Sequence, residues 1–229
     1  MVVRERVPRW ESELWSYLSS SDGMHCPFYE HCHVRLIGKW CLDDERERLE
    51  QLLDSGQYRL DDLKFIGCGM CGGIFKMVEM LAWRYLKKGG VRSPPVPTEI
   101  ISLMDQEHPI QLRPVRLGAH HGAVWHLKDE WVIHVNKDET SDIQRFTIFH
   151  EAFHILARRK TTPVFRKKSG PREAPFKELL ANYFAACILM PDEWVKKKWA
   201  EVKDVKQMAE FFAVPETAMG IRLKRLGLF

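Results

Sequence analysis

No stretch of this sequence stays apolar for the roughly 18–20 residues that a membrane-spanning helix requires, so a membrane bundle is excluded. Internal repeats and low-complexity tracts are absent as well, which removes solenoids, collagen-like fibres and disordered tail proteins. Charge of one sign is scarce: 35 basic against 31 acidic residues leave a net +4. That is too little to argue for nucleic acid by itself. The opening run MVVRERVPRWESELW meets acids and tryptophans before a signal-peptide core can form, and the expectation is a cytoplasmic protein.

What is present is the composition of a soluble globular chain. Hydrophobic residues make up 45% and charged residues 29% of 229 positions, enough for one large domain or two small ones. The charge is unevenly spread. Residues 1–154 carry 19 Lys/Arg against 23 Asp/Glu, and residues 155–229 carry 16 against 8. Solvated helix faces explain such a basic tail most simply, with contact to DNA or an acidic partner as the sharper alternative.

Ser93-Pro94-Pro95-Val96-Pro97 reads as a stiff linker. It divides the chain into a helical, cysteine-bearing module at 1–92 and a second part at 93–229. Helices are expected near 8–19, 42–54 and 73–88, and a short one near 98–105. Strands follow near 110–117, 122–127 and 130–136; the last alternates Trp131, Ile133 and Val135 against Val132, His134 and Asn136. Ser141 and Gln144 suggest a capping box for a helix reaching about Arg159, where Arg158, Arg159 and Lys160 suit its dipole. Further helices are expected near 175–189, 192–200, 203–213 and 216–226. The predicted class is α+β, with a small three-stranded antiparallel sheet packed on helices.

His150-Glu151-Ala152-Phe153-His154 is the motif that carries chemistry. Two histidines four apart lie about 40° apart around a helix axis, so both imidazoles face one side. That suits two ligands of a tetrahedral zinc, with the glutamate beside the open position. A third ligand must come from a neighbouring element. Glu178, with Asn182 one turn on, is the first choice, and Glu173 a weaker one. Ala181, Ala185 and Ala186 would let that second helix pack closely.

TIFHEAFHILA (147–157) and ELLANYFAACILMP (178–191) resemble the two signatures of the ImmA/IrrE-type zinc metallopeptidases, over roughly residues 93–229. The resemblance implies a thermolysin-like catalytic core, with Glu178 as the third zinc ligand four residues before Asn182. It also implies cleavage of a helix-turn-helix repressor, under stress or in mobile elements. Zinc on His150, His154 and Glu178 would depress the pKa of a water, and Glu151 would act as the base. Tyr183, His120, His121 and His126 are open candidates for the oxyanion donor. The strand Trp131–Asn136 could pair with an extended substrate, or lie in mid-sheet instead.

Cys26, Cys32, Cys41, Cys68 and Cys71 form a second feature, with Cys68 and Cys71 in knuckle-like spacing between glycines. They suggest a second Zn2+ or an iron–sulfur cluster, with simple buried thiols as the alternative. Cys187 reads as core. Asp204–Leu228 echoes helix-turn-helix spacing, with packing preferred over partner docking and direct DNA contact. The leading expectation is therefore a zinc endopeptidase acting on a regulatory protein. A DNA- or partner-binding regulator using the domain as a scaffold, and a metal or redox sensor, are the alternatives.

Overall fold

A computed structural model describes residues 8, 10–12, 14–15, 69–157 and 176–229, with side chains from 75 and from 178 in the helices opening at Gly69 and Phe176. The chain forms α1 (Gly69–Lys88), a 3-10 turn (Thr98–Leu103), β1 (Ile110–Val115), β2 (Gly122–Leu127), β3 (Glu130–Asn136) and α2 (Ser141–Leu156). Then come α3 (Phe176–Leu189), α4 (Asp192–Val202), α5 (Val205–Phe212) and α6 (Glu216–Arg225). These elements match the expected ones and bear out the α+β class. The expected helix at 42–54, Cys26, Cys32, Cys41, Cys68, Glu173 and Arg158–Lys160 lie outside the described residues; of Cys71 only the backbone, in α1, is described. No helix among the described residues is long and apolar enough to cross a membrane.

The sheet is mixed rather than antiparallel, in the order β1-β3-β2. Only two residues, Lys128 and Asp129, separate β2 from β3, so these strands must form an antiparallel hairpin, with Gly122 opposite Val135. The six-residue connection after β1 passes over the end of β3, and β3 slots in between, parallel to β1 with Leu112 opposite Ile133. Asn136 ties down that crossing: its Nδ2 donates to the His120 carbonyl at 3.0 Å and its backbone N–H to the His121 carbonyl at 2.9 Å. As the middle strand, β3 has both edges taken, so the expected pairing of Trp131–Asn136 with substrate is ruled out. The competing sequence expectation, a mid-sheet strand, holds because this is the most continuously apolar of the three.

Helix α2 is buried without a break from Phe146 to Leu156, which is why it lacks a polar face. The expected capping box does not form. Thr140 is the N-cap and makes no side-chain bond; the Gln144 amide instead donates to the carbonyls of Asn136 and Glu139, at 3.1 and 3.0 Å. Gln144 thus fastens the end of β3 to the start of α2. Ala181 and Ala185 of α3 are fully buried and permit the close helix pairing expected of them. Phe153 meets Phe184 across that pairing at 5.5 Å between centroids.

The core runs across the proline-rich segment. Val78, Leu81 and Leu86 of α1, and Leu14 near the start, belong to the same cluster as Phe149, Phe184 and Met219. Glu11 pairs with Arg84 of α1. In the tail, Met208, Phe212, Val214, Met219 and Leu223 are buried, so the apolar spacing there serves packing. Asp204 caps α5 by accepting from the Gln207 N–H at 2.8 Å.

Candidate metal centre

His150 and His154 sit one turn apart near the C-terminal end of α2, and Glu178 opens α3 beside them. The imidazole Nε2 atoms of the two histidines stand 3.2 Å apart. Glu178 reaches both, Oε2 at 3.1 Å from His150 and Oε1 at 3.1 Å from His154. Donors bound to zinc at about 2.0–2.1 Å in a tetrahedron would be separated by roughly 3.3 Å, close to these spacings. The three form a group able to hold a metal ion.

Proton bookkeeping supports the fit. The Asn182 side-chain Oδ1 lies 3.0 Å from His150 Nδ1, which places a proton on Nδ1 and leaves the Nε2 lone pair pointing at the group. Two ring nitrogens and a carboxylate facing one another this closely call for a cation among them. Burial would push the Glu178 carboxyl up. The imidazoles of His150 and then His154, which can share a proton with it while no metal is bound, outweigh that and hold it well below the usual carboxylate range. The chemistry of this donor set suits zinc, which accepts imidazole nitrogen and carboxylate oxygen together.

Glu151, on the same turn of α2, is fully buried. It lies against β2, and a Cβ added at Gly122 would come within 3.2 Å of Glu151 Oε1 and overlap Thr147 Cγ2. Glycine is what allows the strand to come this close to the motif helix. A glycine opening a strand signals such an approach and could have been read from the sequence.

The four oxyanion candidates separate in space. Tyr183 donates its hydroxyl to Glu79 of α1, with Arg225 3.4 Å from its ring centroid. Burial pushes the Tyr183 phenol far above its ordinary value. His126 lies tilted over Trp131, 4.3 Å between centroids, and meets His108 edge-on. His120 is held through its carbonyl by Asn136. His121 lines the cavity that also contains Asn182, and its Nδ1 lies 3.2 Å from Glu139 Oε1. Cys187 is buried, as expected, and burial raises its thiol pKa. Sequence reasoning missed the network around it: Arg222 donates to the Met190 carbonyl at 3.0 Å and pairs with Asp192. Partners 30 or more residues apart leave no local signal.

A mixed sheet packed on a helix bearing His-Glu-x-x-His, with a glutamate from the next helix, defines a metallopeptidase-like domain. The chain belongs to the IrrE N-terminal-like domain family (Peptidase_M78), which matches residues 105–224. Among solved structures it is similar to a Mycobacterium tuberculosis transcriptional regulator, with 17% identity and a TM-score of 0.44, over 64% of this chain and 46% of that one. The chain thus spans less than half of that regulator. No curated protein matches the chain.

Proposed function

We propose that this protein is a zinc-dependent endopeptidase that hydrolyses a peptide bond in a regulatory protein, in the first instance a helix-turn-helix repressor. The observation that carries the reading is the convergence of His150, His154 and Glu178, with His150 oriented by Asn182, beside the buried Glu151. A zinc ion held there would supply Lewis acidity to a water and to the scissile carbonyl. Glu151 takes the proton from the attacking water and passes it to the leaving amine. His121 is the oxyanion donor of this proposal, because it faces the cavity beside Asn182 while the Tyr183 hydroxyl is engaged by Glu79. The outer edge of β2, the strand against Glu151, offers main-chain groups to an extended substrate.

Glu151→Gln tests the reading, because it removes the base and keeps every proposed ligand. The variant should retain zinc, measured by elemental analysis, and lose cleavage of a helix-turn-helix repressor substrate by at least about 100-fold. Full biological activity in that variant would refute the peptidase reading. It would favour a binding regulator instead.

A further inference from the structure

Between the N-terminal half of α2, the middle of α3 and α6 lies a cavity of about 360 Å3. One end adjoins the candidate metal centre, since Asn182 touches His150 and Thr147 precedes it by a turn. Phe146 and Ile221 contribute apolar wall. Arg222 and Arg225, one turn apart on α6, contribute charge. No carboxylate lines the cavity among the described residues. Asp192 and Glu79, the acids nearest in charge to these arginines, stand outside its lining.

Arg222 is the decisive residue. It is only 2% exposed, and its Nε and one Nη are satisfied by the Met190 carbonyl and Asp192. The other, Nη1, makes no hydrogen bond of ordinary geometry among the described residues, although the guanidinium also interacts with the Tyr183 hydroxyl. A buried guanidinium nitrogen without an acceptor is costly, and such a group is retained where an acceptor arrives from outside. Arg225, 3.4 Å from the Tyr183 ring centroid and 4.8 Å from that of Phe75, adds a second positive charge held in place by aromatic faces.

We propose that this cavity is a carboxylate subsite that takes a glutamate side chain of the polypeptide held at the metal centre. This rests on the peptidase reading for what the polypeptide is doing there, though the binding itself does not require cleavage. A planar guanidinium matches a carboxylate, and apolar walls suit the aliphatic stem that carries it. The shared Asn182 places the subsite next to the bond-breaking group rather than on a remote surface.

The test uses two blocked pentapeptide pools, degenerate except for a central Glu in one and Gln in the other, added to full-length Glu151→Gln protein. The Glu pool should bind about tenfold more tightly or better and move the side-chain 15N resonance of Arg222. Equal affinities, or no binding by either pool, overturn the proposal. Arg222→Gln should erase the difference between pools. Because that residue also braces Met190, a second variant, Ile221→Glu, is tested in parallel; Ile221 is 42% exposed and accepts a charge. Its carboxylate should compete for the arginines and erase the difference too, and a preserved difference refutes the subsite. Wild-type protein on the same pools separates the two readings. Tight binding of the Glu pool without cleavage defeats the peptidase reading and leaves the subsite standing. Equal cleavage of both pools, with no difference in affinity, does the reverse.

Discussion

The tautomer of His150 is decided by an amide on the next helix, and the affinity of the group for the proposed metal would turn on that contact. Asn182 Oδ1 holds the Nδ1 proton at 3.0 Å, so Nε2 is available as a donor. Without it the ring could turn, or carry its proton on the wrong nitrogen. Asn182→Ala is therefore expected to weaken zinc binding about 10–100-fold, measured by competition with a chromophoric chelator. Asn182→Asp should restore most of the affinity, because a carboxylate accepts the same proton. A purely structural role for Asn182 predicts the opposite pattern: unchanged affinity in the alanine variant and a lowered melting temperature in both. His150, His154 and Glu151 were legible because one helical turn brings i and i+4 together, whatever surrounds them. Glu178 and Asn182 were legible as a second turn of the same kind. Arg222 was not, since its partners Met190 and Asp192 come from another helix start.

At the scale of elements, the site depends on how near β2 comes to α2. Gly122 makes that approach possible, for a Cβ there would overlap the Thr147 methyl carbon and crowd Glu151 Oε1. Thr147 is β-branched and within a helix, so its side chain has little rotamer freedom with which to retreat. Gly122→Ala is expected to cost about 1–3 kcal/mol of stability in urea unfolding, because strand or helix must shift. The proposed peptidase activity should fall as well, and by more than the loss of folded protein accounts for, since the displaced contact includes Glu151. Strand and helix positions were readable from period alone, as in the alternation of Trp131, Ile133 and Val135. Strand direction was not, because alternation says which face is buried and nothing about which neighbour pairs. The Ser141–Gln144 capping box failed for a related reason: the carbonyls of Asn136, at the end of β3, and of Glu139, in the turn after it, take the Gln144 amide.

Across the whole molecule, the candidate metal centre joins helices that the chain separates by residues 157–175, and it faces a core that continues into α1 and the helical residues 14 and 15. A cation bound by α2 and α3 together recognises only the folded arrangement, because the unfolded chain does not hold the second helix beside the first. Binding to the native state alone stabilises it by mass action, about 2.7 kcal/mol at a free concentration 100 times Kd. For a chain of this size that corresponds to roughly 5–10 °C in melting temperature. Thermal melts in excess zinc should therefore lie above melts in chelator by about that much, and added magnesium should not reproduce the rise, because it prefers all-oxygen ligands. His154→Ala keeps the fold's larger apolar contacts and removes one donor, so its melting temperature should lose most of its response to zinc. If wild type and His154→Ala respond equally, zinc is stabilising the protein elsewhere, and the group formed by His150, His154 and Glu178 is not where it binds.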